Sequence, residues 1–123
     1  MLNKQQKFGN KGESIAARHL KKKGYRILEQ NYRTSLGEID IIAADRDTIV
    51  FVEVKARQSN RFGNPKWAVT PRKQRKISMV ALHYLKSTRQ DRVKARFDVV
   101  SISVSGGTPG IELVKNAFEL AYT

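Results

Sequence analysis

Cysteine is absent from this 123-residue chain, which excludes both a disulfide framework and a zinc site built on thiolates. Acidic residues are scarce: 11 Asp and Glu stand against 24 Lys and Arg, a net charge of +13. Such an excess favours a polyanionic partner, and nucleic acid is the commonest one. An anionic membrane surface is the competing partner, but no long amphipathic or apolar segment supports it. No run approaches the roughly 18 apolar residues that span a bilayer. Met1 to Lys7 also lacks the apolar centre of a secretory signal. A cytoplasmic protein without membrane contact is therefore expected, and its length suits a single domain with one core.

The chemistry-bearing stretches lie on a legible series of elements. Ile15, Ala16, Ala17 and Leu20 recur at helical spacing between Lys11 and Lys23, and Gly24 stops the helix after a lysine-rich last turn. Tyr25 to Tyr32 reads as a first strand. Residues 38 to 44 and 48 to 55, separated by Asp45-Arg46-Asp47, read as an antiparallel hairpin. Ile49 to Val52 is apolar on both faces, as in a strand covered from both sides. Residues 58 to 67 form a loop longer than most. Thr70-Pro71 starts a second helix, with Thr as N-cap and Pro at the first helical position. That helix runs to about Lys86 and presents Ile77, Ala81, Tyr84 and Leu85 as its buried stripe. Residues 95 to 104 are a further strand and 111 to 115 an edge strand, while Asn116 to Ala121 stays unassigned. Three strands, a helix and a strand imply an α/β chain with a right-handed crossover.

One feature contradicts the pattern. Asp40, Glu53 and Lys55 interrupt the apolar, β-branched runs of the hairpin, where an unpaired charge costs several kcal/mol, roughly. A two-residue loop at Arg46-Asp47, or a four-residue loop from 45 to 48, pairs position 40 with 53. The two carboxylates then face each other, with β-carbons about 5 Å apart, and Lys55 shares their face. A three-residue loop without a bulge would destroy this arrangement. Asp40, Glu53 and the Val54 carbonyl, completed by water, make the oxygen shell preferred by magnesium or manganese. Lys55 is placed to orient a water or to stabilise developing charge. A structural ion pair of Lys55 with either acid is the alternative, and spacing alone leaves both open.

Other residues could join this site. Glu13 lies on the face of Ala16, Ala17 and Leu20, either because the helix macrodipole favours an acid there or because it reaches a site at the sheet. Gln74 lies one turn before Ile77, at the end nearest the hairpin carboxylates. Arg61, Phe62, Lys66 and Trp67 suit phosphate contact and base stacking, unless the two aromatics fold back on the core. Arg72, Lys73, Arg75 and Lys76 crowd the start of the second helix against its macrodipole, an electrostatic cost that a bound polyanion relieves. His19 and His83 form no obvious pair.

Gly37-Glu38-Ile39-Asp40, the run Phe51-Val52-Glu53-Val54-Lys55-Ala56-Arg57, the Phe62-Gly63 loop with Ala68-Val69, Lys73, and Arg96-Phe97-Asp98-Val99 together resemble the YraN family of small bacterial proteins. The resemblance covers nearly the whole chain. That family is similar to PD-(D/E)XK nucleases with the architecture of archaeal Holliday junction resolvases. It implies a restriction-endonuclease-like mixed β-sheet (helix, three-strand meander, helix, strand) with flanking helices, and a homodimer as one assembly. It also implies a Mg2+- or Mn2+-dependent endonuclease that hydrolyses phosphodiester bonds in DNA, branched or junction DNA included. Glu13 then matches the helix acid, Asp40 the strand acid, and Glu53 with Lys55 the E-x-K element, although Ile39 stands where a proline is common. Gln74 falls where some members carry a further polar residue. The expected metal ligands are Asp40, Glu53 and Val54, and the expected nucleic-acid contacts are Arg57, Arg61, Lys66, Trp67, Arg72, Lys73 and Lys76. A non-catalytic nucleic-acid-binding protein of the same fold is the alternative.

Overall fold

Ile and Val dominate the middle of the chain, and these β-branched residues build the centre of a five-stranded sheet. The computed structural model describes residues 4–57, 69–90, 92–103 and 110–120, with side chains described from Gly12 onward and excluding Arg57. The elements are α1 (Lys4–Lys22), β1 (Arg26–Thr34), β2 (Gly37–Asp45), β3 (Thr48–Arg57), α2 (Pro71–Ser87), β4 (Lys94–Ser103) and β5 (Gly110–Phe118). Spatial order follows chain order, β1 to β5. All neighbours are antiparallel except β3 and β4, which run parallel and are joined through α2. The α/β class and the mixed sheet are thus as the sequence suggests. Among the described residues, no helix is long and apolar enough to cross a membrane.

The two helices cover opposite faces. On one side Ala16, Ala17 and Leu20 of α1 pack on Ile41, Ala43, Val50, Val52, Val100 and Ile102. On the other, Ile77, Val80, Ala81, Tyr84 and Leu85 of α2 pack on Ile39, Ile42, Ile49, Phe51, Phe97 and Val99. Alternation along β3 sends Ile49 and Phe51 to α2 and Val50 and Val52 to α1, so this strand is buried on both faces as expected. Gly12 lets α1 come close to β3: a β-carbon there would lie 3.3 Å from that of Ala56. This close approach places the next residue, Glu13, near the hairpin.

Two boundaries differ from expectation. α1 begins at Lys4 rather than Lys11, because Lys and Gln are good helix formers even where no apolar stripe marks them. It ends as expected: Gly24, with φ of 95°, closes a Schellman motif in which Tyr25 N–H donates to Leu20 O and Gly24 N–H to Lys21 O, both 3.0 Å. β5 extends through the unassigned segment to Phe118, past a bulge at Asn116, whose φ is 52°. The bulge frees the Asn116 N–H, which donates to the buried Asp98 carboxylate at 2.9 Å. Arg96 Nε also donates to that carboxylate at 3.0 Å and the Tyr25 hydroxyl at 3.1 Å, while Arg96 Nη2 reaches Asp45 at 2.8 Å.

Candidate active site

The hairpin turns on Arg46-Asp47, with Arg46 in the left-handed region at φ of 57° and Asp45 paired with Thr48. The register runs from there to Ile41 opposite Val52. One step further lie Asp40 and Glu53, the expected pair. At this point the strands stop exchanging ladder bonds, and the Asp40 carboxylate takes the place of a main-chain acceptor: Val54 N–H donates to its Oδ2 at 2.8 Å. Alternation breaks here too. Ile41 packs toward α1, yet Ile39, two residues away, packs toward α2.

The break has a counterpart on β1. Register places Asn31 between the pairs Gln30 with Ile41 and Tyr32 with Ile39, so it faces Asp40. Its φ of 54° is left-handed, a conformation that Asn tolerates better than most residues. The Asn31 side chain hydrogen-bonds Glu13 from α1. Glu13, Glu38 and Asp40 each bring a carboxylate oxygen within 4.8 Å of the others. A cleft of about 240 Å3 opens beside them, lined by Gly37, Glu38, Asp40, Glu53, Lys73, Lys76 and Ile77.

Electrostatics follow from this crowding. Burial, and then the charge of Asp40, push the Glu53 carboxyl up to about 7 against the opposing pull of Lys73. Glu13 is raised above its ordinary value by burial and by Asp40, with the Asn31 hydrogen bond acting the other way. Lys73 Nζ lies 2.9 Å from Glu53 Oε1. Partial burial disfavours that ammonium, but Glu53, Asp40 and Glu38 together outweigh the effect and raise its pKa.

The structure therefore brings Glu13, Asp40 and Glu53 to one end of the sheet. It also adds Glu38, which sequence reasoning missed as a site residue; its only outward signal was the Glu38-Ile39-Asp40 spacing. Glu38 is exposed and its partner Arg33 is more so, at 3.3 Å, so the pair is a weak tether. Lys55 is half-buried on β3, and among the described residues no ion pair joins it to Asp40 or Glu53; the cation on Glu53 is Lys73. Gln74 turns to the main chain, its Nε2 donating to Val69 O at 2.9 Å. Arg72 and Lys76 are exposed on the first turns of α2. Arg61, Lys66 and Trp67 lie outside the described residues, as does the side chain of Arg57.

The family model described as "Uncharacterised protein family UPF0102" matches residues 12–102. The chain belongs to the UPF0102 family. This is the YraN family indicated by the sequence motifs. A UPF0102 protein from Syntrophus aciditrophicus is 58% identical over 114 residues, covering 93% of this chain and 90% of the relative. UPF0102 proteins from Desulfosudis oleivorans and Geobacter metallireducens are 53% and 56% identical, covering 97% and 94% of this chain and 95% and 94% of the relatives. The UPF0102 match begins at Gly12, one residue before Glu13, and ends within β4, so every acid of the cleft falls inside it.

Proposed function

We propose that this UPF0102 protein is a divalent-metal-dependent endonuclease of restriction-endonuclease-like architecture that hydrolyses phosphodiester bonds in DNA, branched or junction forms included. The observation that carries the reading is the convergence of acids from α1, β2 and β3 beside the basic start of α2. Carboxylates repel phosphate, so a protein that only bound DNA would gain nothing from gathering them in a cleft.

The donor set fits Mg2+ or Mn2+. Asp40, Glu53 and the Val54 carbonyl, with Glu13 and Glu38 adjacent, offer only hard oxygen ligands. A strand residue points its N–H and C=O to the same side, so the Val54 carbonyl opens toward Asp40. A divalent ion held there supplies Lewis acidity and a water of lowered pKa. The chain's own part is positional: Val54 N–H fixes Asp40, Asn31 orients Glu13, and Lys55 stands two residues beyond Glu53 to stabilise negative charge. Lys76 and Arg72 hold the DNA backbone at the mouth of the cleft.

The test is incubation of linear, nicked and four-way-junction DNA with Mg2+ or Mn2+, comparing wild type with Asp40→Ala and Glu53→Ala. Cleavage by wild type alone is the expected outcome, and equal cleavage by the variants refutes the site. The pairing of Glu53 with Lys73 favours one second reading, a non-catalytic DNA-binding protein of the same fold. Binding without cleavage by all three proteins, with a steep salt dependence, would establish it.

A further inference from the structure

Of the basic residues at the start of α2, Lys73 is the one whose ammonium pairs with a carboxylate of the cleft among the described residues. Its N–H donates to the Thr70 cap at 3.2 Å, which fixes its place on the first turn. From there its ammonium meets Glu53 in the cleft, and the side chain is 44% exposed while that of Glu53 is 7% exposed. A flexible, four-carbon stem thus links a partly exposed side chain to a buried carboxylate. Lys76 lines the same cleft and Arg72 adjoins it on the same exposed turn.

Glu53 needs a cation partner because a buried charge left unpaired is strongly destabilising. A divalent cation on Asp40 and Glu53 satisfies that need and repels an ammonium at the same carboxylate. The cleft wall beside Lys73 carries Glu38 and Lys76, and a DNA phosphate held at Lys76 would offer a displaced Lys73 an anion.

We propose that Lys73 is an exchangeable counter-ion: it neutralises Glu53 in the ion-free protein and, when a divalent cation takes Glu53, swings out to bind phosphate. Cation binding and DNA binding then strengthen one another through this side chain, and linkage makes the effect reciprocal. The inference rests on the metal site proposed above.

The experiment measures binding of fluorescent duplex and four-way-junction DNA by anisotropy, in Ca2+ or in chelator at matched ionic strength, pH 8. Calorimetric titration with Ca2+ accompanies it. Wild type should gain about five-fold or more in affinity with Ca2+, and K73Q about two-fold or less. K73R, which keeps the charge, and K86Q, which removes a distant one, should gain as wild type does. Thermal melts establish that each variant is folded. Equal gains in wild type and K73Q overturn the exchange. No gain in wild type, with calorimetric Ca2+ binding that Asp40→Asn abolishes, overturns the exchange and leaves the metal site standing. Absence of Ca2+ binding, or binding unchanged by Asp40→Asn, overturns the metal-site reading and this inference with it.

Discussion

Replacing Glu53 by Gln should make the ion-free protein more stable at pH 8 and flatten its pH dependence. The carboxyl is raised from its ordinary value of 4.5 to about 7, so the folded state holds a proton that the unfolded state has already released. Stability from this group is complete below pH 4.5 and declines as pH rises through the folded value. The interval is about 2.5 pH units, and at about 1.4 kcal/mol per unit wild type should lose about 3 kcal/mol across it. Gln keeps the shape, accepts a hydrogen bond from Lys73 and carries no charge into the cleft. Urea denaturation at pH 5, 6, 7 and 8 in chelator reads the difference between the two proteins, provided their m-values agree. Parallel pH profiles for wild type and E53Q would refute the argument that burial and Asp40 govern Glu53. Excess Mg2+ at pH 8 should raise the midpoint of wild type and leave E53Q almost unmoved, since an ion that binds only the folded state stabilises it.

Asp98→Ala removes the buried acceptor shared by Arg96 Nε, the Tyr25 hydroxyl and the Asn116 N–H, and leaves Arg96 only its contacts with Asp45 and the Tyr25 oxygen. A loss of about 3–5 kcal/mol in urea denaturation is expected, and a loss well below 1 kcal/mol would show that the network is dispensable. Asn31→Gly preserves the left-handed backbone and should fold with near-native stability, whereas Asn31→Val should cost about 1–3 kcal/mol through strain. In Asn31→Gly the Glu13 carboxyl, having lost its hydrogen bond, should titrate at higher pH by NMR than in wild type; an unchanged value would deny Asn31 its orienting role.

The hairpin is readable because a two-residue and a four-residue loop at its polar break give the same register, the one that runs from Asp45 opposite Thr48 to Ile41 opposite Val52 and ends one step short of Asp40 and Glu53. The helix faces were readable for a similar reason: Ile77, Ala81 and Tyr84 repeat at the helical period. What the pattern hid were departures from period. Glu38 shares the Asp40 face by alternation, but nothing in the sequence fixes that Glu13 meets both, and the slip at Asp40 is a tertiary event set by Val54 and Asn31. The pattern of β5 stops at Lys115 because a bulge at Asn116 breaks its alternation. Lys73 resembles its basic neighbours in composition, yet it lies four residues before Ile77 and therefore on the edge of the buried stripe. That phase was the available signal, and charge composition obscured it.

Two carboxylates in this sheet use the same backbone device. Asp40 accepts the N–H of Val54, and Asp98 the N–H of Asn116, each where a strand pair departs from regular pairing. Each is near an asparagine with φ above 50°. Their surroundings then diverge. Asp98 receives a guanidinium and a phenol as well, so its charge is matched within the fold and it serves stability. Asp40 is met by Glu13, Glu38 and Glu53, and the lysine at that end is drawn to Glu53. Negative charge there exceeds what the described residues neutralise, in a chain whose net charge is +13. A fold with so many cations to place has left this end of the sheet acidic, which is the arrangement expected of a site completed by a cation from solution.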